Sequence, residues 1–238
     1  MKARSGLQLA TILIAVAGLL AACHRPTEKA AAPVAVAAPD GPDRPGPAVW
    51  NKATGGFELN GKPVTTAKLW TFEGSTEGFS TMGSKITPAV GQGVLVTVAD
   101  PILRSPKGLN VPGARYDLVL IRLTRVAPGE LWDGALYYAT PAHGEASGFF
   151  GKPLAGADPK VGETTTLVYD MANQRRGGPD WSQSTIDEIR LDIEDKAGGA
   201  FVIRQIAIGI DPDPAAMAAM APPPKVKPAA GADAPAKP

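Results

Sequence analysis

Cysteine is almost missing from this chain: Cys23 is the only one among 238 residues. One cysteine cannot close an intramolecular disulfide, and it excludes a zinc site built from several cysteines. The fold therefore rests on its apolar core. Histidine is nearly as scarce, with His24 and His143 alone. A histidine-rich metal centre is excluded, and a Ser-His-Asp triad could use only His143, in the loop Pro141–Gly148. The G-x-S-x-G nucleophile elbow is absent. Neither sign of charge dominates, since 24 Lys and Arg stand against 23 Asp and Glu, and the basic excess expected of a nucleic-acid binder is lacking. Sustained helical periodicity is also missing; the one short helical candidate is Asp213–Met220, containing A-A-M-A-A-M. The G-x-G at Gly91–Gly93 precedes a strand and opens no helix, so it reads as a turn and not a phosphate cradle.

The chain opens with Lys2 and Arg4, continues through the apolar run Leu7–Leu20, and reaches Leu20-Ala21-Ala22-Cys23. An apolar run of about 14 residues is too short for a comfortable spanning helix and suits a signal segment. Together these residues resemble a bacterial lipoprotein signal. The resemblance implies cleavage before Cys23, a diacylglycerol thioether on its sulfur and acylation of the freed amine. Each buried methylene is worth roughly 0.8 kcal/mol, so two or three acyl chains would make membrane lipid a lasting partner. His24 stands where an aspartate would resemble the inner-membrane retention signal. The expected location is the outer membrane, lipid-anchored and facing the periplasm. Loss of residues 1–22 would move the net charge from +1 to about −1, as Lys2 and Arg4 leave.

Proline and alanine then mark the boundaries. From His24 to about Ala48 the chain has no aromatic residue and no period, and reads as an extended tether of up to ~75 Å at ~3.1 Å per residue. The last stretch, from Asp211 through P-P-P-K-V-K-P-A-A-G-A-D-A-P-A-K-P, has the same character, with Lys225, Lys227 and Lys237 making it weakly basic. All four tryptophans, four tyrosines and six phenylalanines fall between Trp50 and Phe201. The expected organisation is a signal over 1–22, a lipidated tether over 23–48, one folded domain over 49–210 and a tail over 211–238. A domain of about 160 residues is ample for one core.

Within that domain the pattern has period two, broken by turn residues. Phe57–Val64 contains Asn60-Gly61, which suits a two-residue type I′ turn, so it reads as a small hairpin. Further strands are expected over Lys68–Glu73, Ile86–Val90, Val94–Ala99, Tyr116–Val126, Glu130–Ala139, Thr165–Met171, Ile186–Ile193 and Phe201–Ile208. Val119, Ile121 and Leu123 share one face and should enter the core, with Arg122 and Thr124 opposite. Ile189, Leu191 and Ile193 likewise share a face, leaving Arg190 and Asp192 to point away. Many short strands with Gly and Pro between them give an all-β, antiparallel two-sheet sandwich.

Several landmarks also resemble the galactose-binding-like jelly roll of carbohydrate-binding modules and discoidin-like domains. They are L-W-T-F-E-G-S-T-E-G-F (Leu69–Phe79), G-V-L-V-T-V (Gly93–Val98), Y-D-L-V-L-I-R-L (Tyr116–Leu123), A-L-Y-Y-A-T (Ala135–Thr140), Thr165–Asp170, W-S-Q-S-T-I-D-E-I-R-L-D (Trp181–Asp192) and F-V-I-R-Q-I-A-I (Phe201–Ile208). The resemblance covers roughly Lys68 to Gly209. It implies a glycan ligand and, in some members, a structural calcium near the first and last strands, for which Glu73 stands at the matching position. No other cofactor is expected.

A sugar site needs flat aromatic faces for the C–H side of a pyranose and planar polar groups for its hydroxyls. Trp132, Tyr138 and Trp181 are the aromatic candidates, together with Tyr137, and Arg122, Arg190 and Asp192 are the polar ones. Tyr137 and Tyr138 are adjacent in a strand, so they face opposite ways, and Trp132 shares the parity of Tyr138 unless a bulge intervenes. Each aromatic has a second reading as core or edge cover, and Arg190 with Asp192 as a surface ion pair. Glu188, Asp192, Glu194 and Asp195 form a carboxylate-rich strand region, for which a solvated edge is the ordinary reading and paired-carboxylate hydrolysis the other. The sequence thus points to a non-catalytic glycan-binding lipoprotein of the cell envelope. The alternative is a lipoprotein that scaffolds a protein assembly there, and a polysaccharide-modifying enzyme stands third.

Overall fold

The computed structural model describes residues 43–82, 85–88, 93–97, 102–154, 158–174, 176–196 and 198–220. The signal, Cys23, the tether up to residue 42 and the tail from 221 onward lie outside the described residues.

The strands come in the order β1 (Ala48–Asn51), β2 (Gly56–Leu59), β3 (Lys62–Pro63), β4 (Thr66–Trp70), β5 (Ser80–Met82), β6 (Lys85–Pro88), β7 (Val94–Thr97) and β8 (Ile102–Arg104). After them come β9 (Val111–Pro112), β10 (Leu118–Ala127), β11 (Trp132–Ala139), β12 (Phe150–Gly151) and β13 (Thr164–Asp170). A one-turn helix, α1 (Asp180–Gln183), precedes β14 (Thr185–Ile186), β15 (Glu188–Glu194) and β16 (Ala200–Gly209), and α2 (Pro214–Met220) follows. The fold is all-β, and its paired strands are antiparallel.

Two principal sheets are formed. One runs β13-β10-β16-β7-β6, with β4 beside the half of β16 that β7 does not reach; the other runs β12-β11-β15-β8-β5. The alternation read in the sequence decides which side chains meet between them. Val119, Ile121 and Leu123 of β10 and Ile203, Ile206 and Ile208 of β16 share one cluster with Leu136 and Tyr138 of β11 and Ile189, Leu191 and Ile193 of β15. Fully burying a Leu, Ile or Val is worth roughly 1.5–3 kcal/mol, so this shared core is the main driving force.

β10 is apolar on both faces, and the reason is a third layer. Leu118 and Leu120 point away from the main core, into a second cluster with Ala48, Phe57, Leu59, Ala207 and Met217. That cluster is roofed by the β1-β2-β3 hairpin and by α2. Asn60 and Gly61 both have positive φ (51° and 73°) between β2 and β3, as the type I′ reading requires. Packing therefore extends beyond 49–210 at both ends: Ala48 and Met217 are buried, and Arg44 donates its backbone N–H to Thr164 O at 2.8 Å. The helix expected over Asp213–Met220 is present as α2.

Polar groups on the covered face of β10 are matched there. Arg122, 3 % exposed, donates from Nε and Nη2 to the Asp43 carboxylate at 2.6–3.0 Å and from Nη1 to Gln205 Oε1 at 3.1 Å. The pairing of β10 with β16 slips between Arg122 and Leu123, leaving Arg204 as the extra residue. Arg204 Nε then donates to Thr124 Oγ1 at 2.8 Å.

Candidate functional site

The outer face of the five-stranded sheet carries Tyr137, Arg190 and Asp192. Leu136 and Tyr138 enter the core, so Tyr137 between them must point outward. Cross-strand register then builds one row: Phe150 opposite Tyr137, Tyr137 opposite Arg190, Arg190 opposite Arg104, and Arg104 opposite Ser80. One residue from each of β12, β11, β15, β8 and β5 thus lines up across the sheet. The Tyr137 and Phe150 rings are 5.2 Å apart and inclined by 34°. The Arg190 guanidinium carbon lies 4.3 Å from the Tyr137 ring centroid, a cation–π contact. Lys152 and Arg176 approach the Phe150 ring at 5.7 and 5.8 Å, and Lys152 also pairs with Asp133.

The β11–β12 loop folds back over this row and brings Glu145 to it. Arg104 holds Glu145 in a bidentate pair, Nε to Oε1 at 2.7 Å and Nη2 to Oε2 at 2.9 Å, and Arg190 Nη1 donates to the same Oε2 at 3.0 Å. Arg190 Nη2 also donates to Asp192 Oδ2 at 2.6 Å. Burial alone would push the Glu145 carboxyl up, but the hydrogen bonds from Arg104 and Arg190 outweigh it and hold Glu145 below the usual carboxylate range. The native state therefore binds fewer protons here than the unfolded chain. The resulting stability is present above the ordinary value of 4.5 and is lost as pH falls through the lowered one. In urea titrations, acidification below about pH 4.5 is expected to lower the wild-type midpoint more than that of Glu145→Gln. Equal falls would contradict the pairing.

Beside the row opens a cleft of about 660 Å³, lined by the loop from Ala139 to Glu145 and by Arg104, Lys107, Asp187 and Glu188. Glu188 is 8 % exposed. Its carboxyl is pushed up by burial and, next, by the nearby Glu145 charge.

His143, in the loop Pro141–Gly148, is a clip. Its ring stacks on Phe149 at 3.6 Å, and its Nε2 lies 2.9 Å from Asp180 Oδ2, which also accepts the Tyr138 hydroxyl at 2.9 Å. Burial holds the Tyr138 phenol well above its ordinary value. The remaining Tyr138 partner is the Gln174 amide, at 2.9 Å. This cluster ties the loop to α1 and contains no serine nucleophile.

The residues singled out from the sequence are divided among four places. Arg190 and Asp192 lie on the outer face described above. Arg122 lies on the far side of the other sheet, buried against Asp43. Tyr138 and Trp181 are fully buried, edge-to-face at 5.0 Å, with Trp181 Nε1–H donating to Tyr116 O at 2.8 Å. They plug one end of the sandwich and present no ring face to solvent. Trp132 begins β11 before a slip in register and leans on Phe201 at 6.1 Å, half-buried. The slip lets Gly134, at positive φ, pass beneath the indole, where an added Cβ would come within 2.9 Å of it.

Of the carboxylates in this region, Glu194 is buried in an ion pair with Arg125 at 2.8 Å, so it does not lie on a solvated edge. Among the described residues no group of three or more His, Cys, Asp and Glu side chains gathers as a metal site. Glu73, at the position matched to calcium, is exposed after β4. Sequence reasoning had no signal for Phe150, Arg104, Lys107 or Glu145. In comparisons with known proteins, no family model and no curated protein matches this chain.

Proposed function

We propose that this chain is a lipid-anchored envelope protein whose β-sandwich, of the galactose-binding-like jelly-roll type, binds a cell-envelope or exported glycan without turning it over. Cys23 is the anchor, the Pro/Ala-rich stretch the tether, and the outer membrane facing the periplasm the location. The observation that carries the glycan reading is the row Phe150–Tyr137–Arg190–Arg104 beside an open cleft. Aromatic rings meet the C–H side of a pyranose, while guanidinium and carboxylate groups meet its hydroxyls. Arg104, Arg190, Glu145 and Asp192 already hold one another in place, so little side-chain ordering remains to be done on binding. The matched charges keep the face near neutrality, which suits a hydroxyl-rich ligand.

Calorimetric titration of the detergent-solubilised full chain against isolated envelope and exported polysaccharides tests the reading. Saturable binding is expected, weakened roughly tenfold or more, equivalent to about 1.4 kcal/mol, by Tyr137→Ala, with an unchanged melting curve. Flat titrations across the panel with a folded protein would move the reading to a protein partner, and a pull-down from solubilised envelopes would then identify the assembly.

A further inference from the structure

The cleft beside the aromatic row contains a carboxylate, Glu188, on which the cations Arg104 and Lys107 act only by charge and not by a hydrogen bond. Arg104 is held by Glu145, and Asp187 Oδ1 accepts the Gly108 N–H at 3.0 Å. His143 is held by Asp180. Lys107 is exposed at the rim, where water screens its charge. Glu188 differs from all of these. It is more than nine-tenths buried and lines the cleft, yet it accepts no hydrogen bond from any described residue. Its carboxylate oxygens are not sealed from the cleft, so a donor on an entering ligand can reach them.

Resting on the glycan-binding reading above, we propose that this cleft receives the protonated primary amine of an amino-sugar unit, with the Glu188 carboxylate as its ion partner. The charges lining the cleft favour that group over its alternatives. Two cations, Arg104 and Lys107, face three carboxylates, Glu145, Asp187 and Glu188, and Arg104 is already engaged. A uronic acid would set its own carboxylate against Asp187 and Glu188. An N-acetylated sugar would offer one uncharged N–H. An ammonium brings three donors and a positive charge, and charge-assisted hydrogen bonds are roughly twice as strong as neutral ones. Burial and the Glu145 charge disfavour ionised Glu188 more than the Lys107 and Arg104 charges favour it, and an entering ammonium adds a further charge that favours the ionised form.

The test compares β-1,4-linked glucosamine oligomers with the same oligomers fully N-acetylated, each titrated into the detergent-solubilised full chain. The free-amine oligomer is expected to bind roughly tenfold tighter or more. Glu188→Gln, nearly the same volume, should abolish that preference while leaving the melting curve unchanged. Equal affinities in the wild-type chain overturn the proposal whether or not the variant folds, and so does a preference that survives in Glu188→Gln. If both oligomers bind equally and both lose affinity in Tyr137→Ala, the amine assignment falls and the glycan-binding reading stands. If neither binds, the amine assignment falls, and the polysaccharide panel decides the wider reading.

Discussion

Trp181→Ala is expected to destabilise the domain by about 3–5 kcal/mol, the range for truncating a buried large aromatic. Trp181 is among the largest side chains with no exposure at all, and it fills the end of the sandwich against Tyr138. Truncation leaves a void and also orphans the Tyr116 carbonyl that the indole N–H satisfies, adding roughly 1 kcal/mol or more. Chemical denaturation should show the loss as a lower midpoint with an unchanged slope. Where the variant is still folded, its glycan affinity should equal that of the wild type. A variant of native stability that no longer binds would instead place Trp181 in the site.

Asp43→Ala is expected to cost about 3 kcal/mol, far more than a surface ion pair would. Asp43 lies at the border between tether and domain, and its carboxylate bridges the Arg122 guanidinium on the covered face of the six-stranded sheet. Desolvating an arginine this deeply is tolerable only with a matched anion, so removing Asp43 leaves buried positive charge behind. Replacing Arg122 by Met together with Asp43→Ala should recover much of the loss, because no charge is then stranded. Equilibrium unfolding of the two single variants and the double variant gives the coupling directly. Additive effects would show that the pair contributes nothing specific.

These two residues also show what a period-two pattern can and cannot convey. Alternation placed Val119, Ile121 and Leu123 together in the core and Arg122 on the opposite face, and both placements match the structure. Alternation does not tell what covers that opposite face. Here the β1-β2-β3 strands and α2 cover Leu118 and Leu120, and Asp43 with Gln205 encloses Arg122, so an outward-facing arginine is buried instead of displayed. Aromatic residues carry the same ambiguity, since a Trp in a loop can plug or project, and only contacts with distant strands decide. Tyr137 was legible as the partner of opposite parity to Tyr138, and Leu136 settles which of the two enters the core.

The short strands β1, β5, β8, β9 and β12 escaped the sequence because two to four residues carry no measurable period. With them went Phe150 and Arg104. Glu145 was out of reach for another reason: its loop meets Arg104 across 41 residues of chain, and no local pattern encodes that meeting.

On the proposed function, glycan binds on the outer face of β12-β11-β15-β8-β5 and in its cleft. Amide hydrogen exchange on the full chain in detergent, with and without a saturating polysaccharide from the panel, tests it most directly. Slowed exchange is expected only at Arg104–Lys107, Tyr137–Glu145, Phe150 and Asp187–Asp192. Slowing on the β13-β10-β16 side, or none on the predicted face while binding is saturated, would contradict it.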